Sequence, residues 1–160
     1  MNNKSSDYLD GKLNLSETTT YQAGVVQSTM SRLLKKFSDN CLKEHGITTM
    51  QWFVIGTIYD SGKKGMRISE LSDKLDTNMP YITNTMNLLE SKGIVVREGS
   101  TTDNRSRLVK ISPEFEPRCK VIEKDLRQKM RDGFYSHVNP NELQIYLSVI
   151  HKLSKLSAPE

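Results

Sequence analysis

The chain has 160 residues, a formal net charge of +4 and 36% hydrophobic residues, which suits one core with helical extensions rather than several domains. It holds no apolar run of membrane-span length, and its polar first sixteen residues lack the basic start and apolar middle of a secretory signal. Cys41 and Cys119 are too few and too far apart for a disulfide framework, so a cytoplasmic protein without membrane association is expected.

Residues 1–16 read as a flexible N-terminal segment. From about Glu17 a long helix is predicted, because Val26, Met30, Leu33, Leu34 and Phe37 recur at three and four. Gly46 ends it. Thr48 and Gln51 have capping-box spacing, and they open a second helix carrying Trp52, Ile55 and Tyr59. Ser61-Gly62-Lys63-Lys64-Gly65 breaks that helix. Ile68, Leu71 and Leu75 mark a short third helix. A fourth starts at Thr77 or Asn78, with Pro80 in its first turn, where the missing N–H costs nothing. Ile82, Met86 and Leu89 face inward, and Gly93 stops the helix.

Ile94–Arg97 and Arg107–Ile111 read as two strands of a hairpin. Their loop, residues 100–107, holds no apolar side chain. Ser112-Pro113-Glu114 then reads as a helix start, with Pro113 at the first position. The fifth helix carries Phe115, Cys119, Ile122, Leu126 and Met130. Asn139 caps a sixth, with Leu143, Tyr146, Leu147, Ile150 and Leu153 on one stripe.

A short helix, a tight turn, a second helix with a small polar start and a basic hairpin tip make a winged helix-turn-helix. That shape presents a helix to the major groove of double-stranded DNA and a basic finger to its flank. Charge agrees: residues 61–112 carry nine basic and six acidic side chains, whereas residues 1–60 carry six of each. The stripes of the first, fifth and sixth helices are longer than the small central module covers, which implies a homodimer. The expected fold class is mainly α with a small β-hairpin wing. Residues 47–112 form the winged helix-turn-helix, and residues 17–46 and 113–160 form a helical dimerisation region.

The order of elements, and Ile68 to Ser112 in particular, resembles the MarR family of bacterial transcription regulators. The matching residues are Glu70-Leu71, Leu75, Thr83, Leu89-Glu90, Lys92-Gly93, Arg97, Asp103-Asn104-Arg105 and Leu108 to Ser112, with Gln51-Trp52 earlier. Asn84 departs from the pattern, because the family usually places Arg after the Thr of that helix. Arg suits guanine and Asn suits adenine edges or phosphate, so the operator preference of relatives does not transfer.

The candidate DNA contacts are Thr77, Asn78, Pro80, Tyr81, Thr83 and Asn84 on the fourth helix. Arg105 and Arg107 are candidates on the wing, and Arg67 and Ser69 at phosphates, with Lys92 a further phosphate candidate. Capping and solvation are the competing roles for the helix residues. A salt bridge to Asp103 competes for Arg105, and the resemblance implies that Asp103 braces the wing.

The resemblance also implies a ligand cavity between the dimer helices and the winged helix, where relatives often take small aromatic acids. Tyr21, His45, Trp52, Phe53 and Phe115 are the candidate lining, and core packing is the competing role of each. Some relatives sense oxidants through a reactive Cys near the N-terminus, but this chain has none before Cys41. Cys41 and His45 stand four apart on one helix, with Glu44 between them, a weak signal for metal, and no metal or cofactor is expected. No Gly-rich phosphate loop, nucleophile elbow or paired-His motif is present, so the chain does not read as an enzyme. The expected function is a sequence-specific transcription regulator, a repressor that binds a pseudo-palindromic operator as a homodimer and is modulated by a small-molecule effector. The alternative is an oxidant- or metal-responsive regulator of the same fold.

Overall fold

The computed structural model describes residues 16–99 and 108–156. The described elements are α1 (Thr20–Leu42), α2 (Thr49–Asp60), β1 (Met66–Arg67), α3 (Ile68–Lys74), α4 (Met79–Ser91), β2 (Val95–Glu98), β3 (Leu108–Ile111), α5 (Glu116–Lys129) and α6 (Pro140–Leu153). This is the expected mainly helical class with a small sheet. The chain divides into two compact units, Met1–Phe37 and Ser38–Glu160, with the boundary inside α1.

In the first unit α1 starts at Thr20, three residues after Glu17. Thr19 sets the start. Its N–H donates to Gln22 Oε1 at 2.9 Å and its hydroxyl accepts from Gln22 N–H at 3.2 Å, a reciprocal cap. Arg32 donates back to Ser28 at 2.6 Å and to Thr29 at 3.1 Å. Tyr21 and Leu33 are exposed.

In the second unit Leu42, Val54, Ile55, Ile58, Leu71, Ile82, Met86, Leu89, Val95, Val109 and Ile122 form the heart of the core. The apolar spacing that predicts α2 to α5 is the spacing that buries these side chains. Caps fix where the helices begin. Thr48 and Gln51 form the predicted capping box on α2. Asn139 accepts from the N–H groups of Asn141 and Glu142, at 2.9 and 3.0 Å, at the start of α6. At the end of α1 the chain tightens into a 3-10 turn over Lys43–His45 before Gly46 takes φ 71°.

The sheet has three strands rather than two, all antiparallel, in the order β1-β3-β2. The extra strand, β1, pairs Met66 with Val109 and Arg67 with Leu108. Two residues are too few to show alternation in a sequence. Gly65 permits the pairing: its φ is 66°, and a Cβ there would lie 2.7 Å from the Val109 carbonyl oxygen, so a side chain would collide with the neighbouring strand.

Ser112 joins the sheet to α5. It is buried; its hydroxyl donates to the Gly93 carbonyl at 2.6 Å and accepts from Phe115 N–H at 3.2 Å. Regular α5 begins only at Glu116, one turn beyond the predicted start, because residues 113–115 form the turn that Ser112 closes. The fifth helix stops at Lys129 and continues as a π-helical turn over Met130–Phe134, with Tyr135 N–H donating to Met130 O at 2.8 Å. On α6 no residue is buried, and Ile145, Leu147, Val149, Ile150 and Leu153 are all exposed. Among the described residues no helix is long and apolar enough to cross a membrane.

Candidate nucleic-acid interface

The turn between α3 and α4 is closed by side chain and backbone together. Ser72 Oγ donates to the Thr77 carbonyl at 2.5 Å, and Thr77 N–H donates to the Ser72 carbonyl at 3.1 Å. Asp76 takes φ 45°, a left-handed position that a short polar side chain tolerates. Asn78, not Thr77, is the cap of α4: its Oδ1 accepts from Tyr81 N–H at 2.9 Å. Thr77 is half-buried and works through its backbone. Pro80 sits in the first turn as predicted.

From that start α4 turns Ile82, Thr85, Met86 and Leu89 inward. Tyr81, Asn84 and Leu88 fall on the opposite side, within an arc of about 60° at 100° per residue. Tyr81 is 42% and Leu88 43% exposed, and Asn78, Met79, Pro80 and Asn84 are exposed as well. Thr83 is half-buried on the flank of this stripe. Five of the sequence candidates therefore stand on the cap and first turns of one helix, and four of them, Asn78, Pro80, Tyr81 and Asn84, are open to solvent. Leu88 extends the stripe by a turn.

Arg97 of β2 ties the base of the wing to α4. Its Nη1 donates to Glu90 Oε2 at 2.9 Å and its Nη2 to Asn87 Oδ1 at 2.6 Å. The side chain is 18% exposed, and its Nε is buried without a partner. The planar guanidinium spans two acceptors one turn apart, which an ammonium would not do. The sequence marks Arg97 by resemblance but not its partners. On the other edge of the hairpin Lys110 pairs with Glu98 at 2.5 Å.

Arg67 and Ser69 are exposed where β1 passes into α3. Arg67 N–H donates to Glu70 Oε2 at 3.1 Å, which caps α3 and leaves the guanidinium with no acidic partner among the described residues. Lys92, a candidate for phosphate, instead donates to the Gly46 carbonyl at 2.9 Å and so ties the end of α4 to the segment before α2. Asp103, Arg105 and Arg107 lie outside the described residues.

The ligand-site candidates separate. Trp52 and Phe53 line a groove of about 670 Å³ between α2 and α5, together with Tyr59, Leu75, Leu126 and Lys120. Phe115 is buried in the core, with the Arg118 guanidinium 5.1 Å from its ring centre. His45 bonds Asp125 at 2.8 Å, and neither His45 nor Phe115 lines the groove. Tyr21 belongs to the first unit.

The end of α1 holds a polar cluster. His45 Nε2 lies 2.8 Å from Asp125 Oδ2 and 3.7 Å from Glu44 Oε1. Lys129 Nζ pairs with Asp125 at 2.9 Å and also with Glu44. Hydrogen bonds from His45 and Lys129 hold the Asp125 carboxyl down to about 2. The half-buried Cys41 thiol nearby is pushed up, chiefly by burial. Burial also pushes Cys119 up, to about 11. Neither thiol has the lowered pKa of a reactive cysteine.

The family model described as "MarR family" matches residues 45–106. The chain is similar to Staphylococcus aureus MepR in a DNA complex, with TM-score 0.65 and 20% identity over 87% of this chain and 98% of that one. It is similar to a mutant Escherichia coli MarR complexed with operator DNA, with TM-score 0.72 and 18% identity over 85% and 99%. Rhodococcus jostii CouR bound to p-coumaroyl-CoA gives TM-score 0.73 and 13% identity over 90% and 99%. At these identities the structural likenesses speak for the fold, and the family match covers the segment that carries α2 to β2. Residues 45–106 thus match the model of the MarR family, and the chain shares the fold of solved structures of that family.

Proposed function

We propose that this chain is a sequence-specific DNA-binding transcription regulator that acts as a homodimer and represses by occupying a pseudo-palindromic operator. The observation that carries the reading is the solvent-facing stripe on the first turns of α4. Asn78, Pro80, Tyr81 and Asn84 are small, polar or planar, and stand over a fully packed inner face. Such a helix start enters a major groove without steric conflict. Asn84 offers an amide that pairs with adenine N6 and N7, Tyr81 a hydroxyl for phosphate, and Leu88 a methyl surface for thymine. Arg67 and Ser69, where β1 passes into α3, and the sequence candidates Arg105 and Arg107 are the further contacts proposed.

The exposed apolar side chains of α6 favour pairing with a second copy of the chain, which places two such helices about one turn of DNA apart, on the order of 34 Å. Relatives of the fold solved with operator DNA and with p-coumaroyl-CoA support both a DNA partner and a small effector. For the effector we assign the α2–α5 groove. Trp52 and Phe53 supply aromatic surface there, and Lys120 supplies a cation without an ion pair among the described residues. An effector acts by preferring one separation of the two reading helices over another.

The test is an anisotropy titration of the purified protein against promoter fragments from its own genomic neighbourhood, at two salt concentrations, beside sedimentation analysis. Binding that weakens steeply with salt, by a dimer, and that drops for Asn84→Ala on one fragment but not on scrambled DNA, agrees with the reading. A monomer that retains no fragment even at low salt refutes it.

A further inference from the structure

Glu44, His45 and Asp125 bring one imidazole nitrogen and two carboxylate oxygens within 4.8 Å of one another. They come from two elements, the 3-10 turn at the end of α1 and the middle of α5. None of them lies on α4 or lines the α2–α5 groove. Tetrahedral coordination at about 2.0–2.2 Å places ligand atoms roughly 3–4 Å apart. The His45 Nε2 to Glu44 Oε1 separation of 3.7 Å already falls in that range, and the 2.8 Å to Asp125 needs only to open slightly. The sequence pairs Cys41 with His45 by four-residue spacing. The helix tightens at Lys43, however, and the third converging ligand is Asp125, eighty residues away, rather than Cys41.

A cation already sits among these oxygens: the Lys129 ammonium bonds both Glu44 and Asp125. Its side chain is 35% exposed and that of Glu44 57%, so the pairs are screened and the ammonium is free to swing into water. We propose that Glu44, His45 and Asp125 form a site for a divalent transition cation of the zinc or cobalt class, which exchanges with the Lys129 ammonium. Two carboxylates, a neutral imidazole and one open position suit such an ion. The dication replaces a monocation beside two negative charges, which favours the exchange. Once bound, the ion clips the turn after α1 to α5 by bonds shorter and more directional than the present hydrogen bonds.

The site stands independently of DNA binding, and its test has a separate readout. The full chain, stripped with chelator, is titrated with Co(II) while visible absorption is followed, and then with Zn(II) in calorimetry. The expected result is one equivalent per chain, with four-coordinate Co(II) absorption that Zn(II) abolishes. Lys129→Met removes the competing ammonium and tightens binding, while His45→Gln and Asp125→Asn each weaken it roughly tenfold or more. Circular dichroism shows whether each variant is folded. Lys129→Met keeps all three ligands, so the inference remains testable should a ligand variant unfold. Two results overturn it: no stoichiometric binding by either the wild type or Lys129→Met, or binding that survives unchanged in the folded His45→Gln and Asp125→Asn chains, which assigns the ion to exposed His137 or His151.

Discussion

Replacing Arg97 with alanine removes the bracket between the wing and α4 without touching the reading face. The lost bonds are those to Glu90 at 2.9 Å and Asn87 at 2.6 Å. A buried charge-assisted bond contributes about 1.5–3 kcal/mol. Glu90 is 42% exposed and both acceptors are rehydrated when the guanidinium goes, so the loss falls to about 1–2 kcal/mol. For a chain of this size that lowers Tm by about 2–8 °C. Operator affinity falls further than stability alone explains, because wing and helix no longer approach the duplex in fixed register. About 1 kcal/mol of lost preorganisation in each protomer of the proposed dimer weakens binding roughly 30-fold. The discriminating measurement is the slope of log affinity against log salt. Arg97 is engaged by Glu90 and Asn87, so the slope is expected to stay unchanged, whereas loss of a phosphate contact lowers it by about one per protomer. Arg97→Lys gives an intermediate loss, since an ammonium does not span both acceptors. An unaltered Tm, or a slope reduced by about two per dimer, refutes the bracket.

Arg105→Ala is the contrasting variant: affinity falls and the salt slope drops by about one per protomer, read in the same anisotropy titration. Ser72→Ala opens the turn between α3 and α4 by removing a 2.5 Å bond to the Thr77 carbonyl; urea unfolding is expected to show a loss of about 1–3 kcal/mol with an unchanged m-value. Gly65→Ala forces a Cβ to within 2.7 Å of the Val109 oxygen at φ 66°, and is expected to lower Tm by several degrees and to raise hydrogen exchange at the paired β1 and β3 amides. Cys119 has its pKa raised from 9.0 to about 11 in the fold. The unfolded chain therefore ionises first, and stability falls as pH rises between those values. That part of the fall, about 2 kcal/mol between pH 8 and 10.5, is absent in Cys119→Val when the two are compared by urea unfolding under reducing conditions at those pH values.

What could be read before folding was local. Apolar spacing places α2 to α5, and Thr48, Asn78 and Asn139 start their helices because a cap is a matter of two to four neighbouring residues. The exposed stripe of α4 follows from the same periodicity. The structure adds bonds between residues far apart in sequence: Ser112 to Gly93, Arg97 to Asn87, Lys92 to Gly46 and His45 to Asp125. No spacing rule announces them, because each depends on how two packed elements meet. Strand β1 was missed for the same reason. Its two residues become a strand only because β3 lies beside them and Gly65 leaves room.

These bonds change what the charge of the module means. Residues 61–112 hold nine basic side chains, and a count by sequence treats all nine as free to meet phosphate. In the fold Arg97 is held by Glu90, Lys110 by Glu98, and Lys92 by a backbone carbonyl. Lys63, Lys64, Arg67 and Lys74 remain without an acidic partner among the described residues, and Arg105 and Arg107 lie outside those residues. A cation already bonded within the fold must break that bond to reach a phosphate, so it releases fewer counterions from DNA than a free one. Of the seven described basic side chains of this segment, four are therefore open to phosphate and three are engaged within the fold. Of these four, Arg67 is the one placed where β1 leads into α3. The described cations of this segment then contribute about seven to the salt slope of the dimer, twice four at about 0.9 each, and not the roughly thirteen of seven free ones; alanine variants of Lys92 and Lys110 that each lower the slope by about one per protomer refute that division.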